Sequence, residues 1–110
     1  MESILNSIKK MLGIEPDYNH FDGEIMVHIN SAFSTLRHVG VGSGESLRIS
    51  SDVDTWKNIF GDLKYLESIK TYTYLKVKLI FDPPGSSFVL DAFKRQADEL
   101  EWRINEEADK

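Results

Sequence analysis

A chain of 110 residues that is 41% hydrophobic makes one domain, residues 1–110, able to bury about two-thirds of the surface its unfolded form exposes. Eighteen acidic against thirteen basic side chains leave a net charge of −5, the wrong sign for tight binding to a phosphate backbone. The absence of cysteine excludes a disulfide framework, a thiolate nucleophile and cysteine-ligated zinc, and fits a reducing compartment; no apolar run is long enough to span a bilayer, so no membrane partner is expected.

The first residues lack a basic stretch followed by a long apolar run, so the chain is expected to keep its own start. Ile4, Leu5, Ile8, Met11 and Leu12 recur at helical spacing, with Ser3 placed to cap and Gly13 to stop a short first helix. Lys9 with Lys10 reads as solvated helix face, like the other short basic pairs, Lys76 with Lys78 and Lys94 with Arg95. After the turn chemistry of Glu15-Pro16-Asp17, Asp22 is placed to cap a second helix whose apolar face carries Ile25, Met26, Ile29, Ala32, Phe33 and Leu36. That helix ends near Val39, because Gly40, Gly42 and Gly44 follow in a stretch with no apolar period. The segment to Asp54 is a long loop, and the alternation in Ser46-Leu47-Arg48-Ile49-Ser50 allows a short strand or one arm of a hairpin. In so small a domain a loop of that length is either disordered or a contact surface.

Asp52 or Asp54 then caps a short helix carrying Trp56, Ile59 and Phe60, closed by Gly61. From Leu63 onward two patterns coexist. Leu63, Leu66, Ile69, Tyr72, Leu75 and Leu79 suit a helix, whereas Thr71, Thr73, Leu75, Val77, Leu79 and Phe81 alternate as a strand would. Pro83 and Pro84 end any helix arriving through Phe81, and Gly85 lets the chain turn. Ser86 or Ser87 caps a last helix from about Phe88, with Val89, Ala92, Phe93, Ala97, Leu100 and Ile104 as core stripe and Glu99–Arg103 as an outer ion pair. Trp102 projects opposite Leu100, where a partner gains more from an indole than a monomer does; folding over a neighbouring loop is the alternative. The polar tail 105–110 is expected to fray.

No catalytic constellation emerges. His28 and His38 point in different directions on the second helix, so the three histidines, His20, His28 and His38, do not converge on a metal, and Asp52 with Asp54 reads as capping chemistry rather than a cation site. The glycines at 40, 42 and 44 follow a helix and precede no lysine, unlike a phosphate-cradling loop, and no serine sits in a GxSxG elbow. No catalytic residue, metal ligand or cofactor is assigned. Leu47 and Ile49 on a glycine-flanked loop, the Tyr72/Tyr74 pair and the off-stripe Trp102 favour an interaction protein.

Read together, INSAFSTLRHVGVG at Ile29 to Gly42, the capped WKNIFGD, TYTYLKVKLIFDPP and SSFVLDAFKRQADELEWRIN resemble the small head-tail connector proteins of long-tailed bacteriophages, in order and over nearly the whole chain. The INSAF run and the FDPP-x-SSF junction leading to ELEWR are the most specific pieces. The resemblance implies an all-α domain of four or five helices packed as a small bundle. Leu63 to Phe81 is then helical, and a long loop or short hairpin joins helices two and three. It further implies a non-enzymatic structural adaptor at the head-tail junction of the virion, present in the host cytoplasm during assembly. Copies would form a ring docked on the portal protein, presenting a surface to a tail or stopper protein, with the long loop as an arm. Leu47, Arg48, Ile49 and Trp102 are the candidate interface residues. An acidic ring around a DNA channel would make only weak, non-specific contact with DNA. The alternative is a small cytosolic regulatory protein binding nucleic acid or protein through its second helix and loop. An enzyme has only scattered carboxylates in its support.

Overall fold

The computed structural model describes residues 3–42 and 47–109. Five helices follow one another: α1 (Ile4–Leu12), α2 (Asp22–His38), α3 (Trp56–Phe60), α4 (Leu66–Phe81) and α5 (Ser87–Ala108). No strand occurs among the described residues; an isolated bridge joins Ser3 to Thr55. The fold is an all-α bundle with extents of 37 × 34 × 19 Å, a slab about two helix diameters thick.

α4 lies at the centre, packed against α1, α2 and α5. Ile69, Tyr72, Thr73, Leu75 and Val77 are all buried, so its apolar surface wraps most of the helix circumference. A helix covered on several sides loses the clean 3.6-residue stripe, which explains why the sequence pattern here could also be read as a strand. The β-branched threonines are accommodated by back-bonding: Thr71 Oγ1 donates to Glu67 O at 3.1 Å and Thr73 Oγ1 to Ile69 O at 2.8 Å. α4 stops at Asp82, before the two prolines, and Ser86 caps α5 by accepting from Val89 N.

α1 is capped by Ser3 and stopped by Gly13, whose φ of 84° is a left-handed conformation open to glycine. Its strongest tie to the rest of the chain comes from a residue expected in solvent. Lys9 is fully buried; its Nζ donates to Pro16 O at 2.9 Å and lies 2.8 Å from Asp22 Oδ1. The ammonium is directed at the carbonyl, and the carboxylate oxygen is a close charge contact without hydrogen-bond alignment. Asp22 is accordingly not the cap of α2: it is the first helical residue, and the preceding Phe21 makes no side-chain cap bond. The 3.6-residue period gave no sign that Lys9 would turn inward, because its partner arrives from across the α1–α2 turn.

α3 seals the other side of α1. Trp56 and Phe60 stack with ring centroids 6.1 Å apart, and Phe33 meets Phe60 edge-on at 5.0 Å. The buried Trp56 Nε1 donates to Ser7 Oγ at 2.9 Å, and Ile4 N donates to Asp54 O at 2.9 Å. Thr55, not Asp52 or Asp54, caps this helix; the Asp54 carboxylate instead accepts from Ser50 N and Ser51 N, folding the end of the loop.

Two further expectations are corrected. The α5 core stripe is buried at Ala97, Leu100 and Ile104, but Ala92 and Phe93 are half-buried and Val89 is 38% exposed, so the first turns of α5 are covered less than its second half. The tail does not fray at 105: the helix continues through Ala108, where Asn105 Nδ2 donates to Val39 O at 2.8 Å and Ala108 packs on the core. Lys110 lies outside the described residues.

Replacing Asp22 by Ala strands a buried ammonium, and a loss of about 3–5 kcal/mol in urea unfolding is expected, whereas Lys9→Met, which removes the charge and keeps the stem, should cost far less. Tyr72 generates a pH dependence. Burial, and then its bond to Glu101 at 2.8 Å with that carboxylate's charge, push the phenol well above its ordinary value of 10.0. The folded state therefore holds a proton that the unfolded state releases, so stability is complete below about pH 10 and declines above it. Tyr72→Phe should flatten that alkaline decline in unfolding measured at successive pH values.

Candidate interaction surface

The four candidate interface residues separate into two places. Leu47 and Ile49, expected as contact residues, point into the core of the folded chain, while Arg48 between them is exposed. The alternation seen in the sequence is real, but the described residues 47–50 are irregular and form no strand; Ser46 lies outside the described residues. The side chain of Asn30, on α2, does the work a partner strand would do. Its Oδ1 accepts from Ile49 N at 2.7 Å and its Nδ2 donates to Ile49 O at 3.0 Å, so both backbone groups of Ile49 are satisfied without a ladder. Nothing local in the sequence distinguishes Asn30 from an ordinary outward polar residue. Its partner is supplied from 19 positions away.

Trp102 stands where its helical phase put it, on the outer side of α5 and 63% exposed. It borders a groove of about 410 Å³ between the C-terminal end of α5 and the entry to α4, lined by Lys64, Tyr65 and Ser68 on one wall and by Arg103, Ile104, Glu106 and Glu107 on the other. A second depression of about 430 Å³ adjoins it along the α4–α5 seam and shares Ser68 and Arg103. Arg103 is engaged by Glu99 at 2.8 Å, the acidic-first pair expected from the sequence. Glu106, Glu107 and Asp109 form no ion pair among the described residues. Partial burial, and then the nearby Glu107 charge, raise the Tyr65 phenol above its usual value; the groove itself is mixed, with Lys64 and Arg103 set against Glu106 and Glu107.

Tyr65, Glu106 and Glu107 were missed as groove residues. The signal that could have found them is electrostatic. α1, α2, α3 and α4 each carry a basic residue in the last turn, whereas α5 carries none and ends in carboxylates. Tyr72 and Tyr74 divide as the helical phase requires, the first buried and the second half-buried against the core. His28 sits 3.4 Å from Glu24, and His20 packs edge-on against Phe21 at 4.7 Å. Among the described residues no three histidine or acidic side chains converge as metal ligands, and no helix is long and apolar enough to cross a membrane.

The scaffold is all-helical and displays large apolar side chains to solvent, Phe88 and Trp102 among them, with no catalytic constellation among the described residues, a combination that suits a structural interaction protein. A family model described as phage connector protein matches residues 4–110, and the chain belongs to that family. It is a structural phage protein that interacts with other head or tail proteins of the virion. Comparison with curated proteins and with solved structures gave no match.

The two tryptophans should respond oppositely to truncation. Trp56→Ala removes a buried, hydrogen-bonded indole and is expected to cost about 3–5 kcal/mol. Trp102→Ala, at an exposed site, should change unfolding free energy by less than about 1 kcal/mol in the same urea titration.

Proposed function

We propose that this protein is a non-enzymatic adaptor of the head-tail junction, whose copies form a ring that docks on the portal protein and joins the DNA-filled head to a tail or stopper protein. The observation that carries this reading is the connector family match over residues 4–110. The geometry is compatible with it in three respects. Exposed apolar groups lie at both ends of α5, Phe88 at its start and Trp102 near its end, so the domain offers more than one adhesive surface. A cyclic assembly needs unlike patches that meet between neighbours, and such surfaces supply them. Leu47 and Ile49 anchor the loop through the core and through Asn30, leaving Arg48 as its outward contact group. The net charge of −5 makes a lumen lined by this chain repel DNA and leaves only weak, non-specific contact with it. The protein would meet its partners in the host cytoplasm and remain in the virion.

The test is sedimentation of the purified chain with portal rings, with heparin and duplex DNA in parallel. Co-sedimentation with portal is expected, together with no salt-sensitive binding to either polyanion. Trp102→Ala and Arg48→Ala should weaken portal binding or ring formation by about ten-fold or more while leaving the fold intact. Binding to DNA with a steep salt dependence and none to portal would overturn the reading.

A further inference from the structure

The two most exposed aromatic side chains among the described residues stand on one helix: Phe88 at the start of α5 is 78% exposed, and Trp102 near its end is 63% exposed. They also share a face. At 100° per residue Phe88 lies opposite the buried Ala97, and the exposed Arg95 and Trp102 fall within about 40° of Phe88, so the three form one outward line. Their spacing of seven is the repeat that keeps a seam of side chains turned toward a second helix along its length. Phe88 and Trp102 are then about 21 Å apart along the axis. The core lies on the other side, where α5 packs on α4 and α2 through Ala97, Leu100 and Ile104.

The charges at the ends of α5 are a second, independent observation. Its first turn holds no acidic residue to offset the positive helix end, and its last turn holds no basic residue to offset the negative one. Ser86 satisfies one N–H at the start but brings no charge, and Glu106 and Glu107 add to the negative end. Each of the other four helices offsets at least one of its ends. A helix with neither end offset is complemented by an antiparallel copy of itself, whose negative end lies at its positive end. The same copy answers the aromatic spacing, because it carries an exposed aromatic at each end of the same span.

We propose that the free protein pairs with a second copy of itself through the outward face of α5, the two helices running antiparallel about a two-fold axis at Arg95. Residue 95 is midway between 88 and 102, so Phe88 of each copy packs against Trp102 of the other. Glu106 of each copy reaches the start of the other's α5, and Arg95 at the axis has Asp91 and Asp98 of the facing copy about one turn to either side. A contact limited to one helix face, about 27 Å long and about 10 Å wide, is smaller than the roughly 800 Å² per partner of a standard interface, so the pair is weak and concentration-dependent. This pair goes beyond the adaptor reading and does not rest on it. It covers both aromatics that a ring would present to other proteins, so assembly on portal has to open it.

The experiment is sedimentation velocity of the full chain over a concentration series. Monomer is expected at about 1 µM and a growing dimer fraction toward about 200 µM. Phe88→Ala and Trp102→Ala should each weaken the dimer by about ten-fold or more, and the double variant by less than the two losses combined, because each removes one side of the same contact. Cross-linking reads the register separately. The natural chain has no cysteine, so Arg95→Cys places a single thiol at the axis and should oxidise to a disulfide-linked dimer at least about ten-fold faster than Val27→Cys, a variant of an exposed position on α2. A chain that stays monomeric to about 200 µM, a dimer indifferent to either aromatic truncation, or an Arg95→Cys chain that cross-links no faster than Val27→Cys would each overturn the pair. Portal sedimentation keeps the two readings apart. A monomeric chain that pellets with portal removes the pair and leaves the adaptor, and a dimer that ignores portal does the reverse.

Discussion

The bundle depends on burying α4 from several sides at once. α1, α2 and α5 all pack against it, and Tyr72 becomes a fully buried aromatic whose hydroxyl must still find an acceptor. It finds one in Glu101 of α5 at 2.8 Å, and that bond ties the central helix to the helix that carries the exposed groove. The double proline after Asp82 makes this possible, because α4 must stop abruptly for α5 to turn back along it. A packing constraint at the centre therefore decides where Trp102 and the carboxylates beyond it are displayed.

The remaining elements serve as fasteners on that core. The buried Lys9 ammonium joins α1 to the α1–α2 turn through Pro16 and to α2 through Asp22, an arrangement that fixes geometry more than it adds stability. Trp56 and Ser7 join α3 to α1, and the Asn30 amide holds Ile49 as a strand neighbour would. Each is a polar contact across a long sequence separation, set within an apolar core. Such contacts position a loop and a helix end rigidly, which suits a protein that works by presenting surfaces.

The chain's electrostatics are as uneven as its packing. Outside residues 98–109 acids and bases balance, and the helix ends follow the macrodipole rule. At the end of α5 both regularities fail together, beside an exposed indole.

Much of this was legible in the residues alone. The caps Ser3 and Ser86, the stops at Gly13 and before Pro83, the apolar face of α2 and the outward phase of Trp102 follow from local steric and hydrogen-bonding rules that act within a turn or two of helix. The connector resemblance, carried by short runs in order along the chain, settled the helix over the ambiguous 71–81 stretch and agrees with the family match. Tertiary structure decided the rest, because the determining partners are remote. Whether Lys9 faces solvent depends on Asp22, whether Ile49 pairs with a strand depends on Asn30, and whether residues 105–108 stay helical depends on Val39. The groove likewise exists only once the end of α5 lies against Lys64, Tyr65 and Ser68, more than thirty positions earlier in the chain. Local chemistry specifies elements and their ends; which polar groups turn inward is set by what the folded chain brings to meet them.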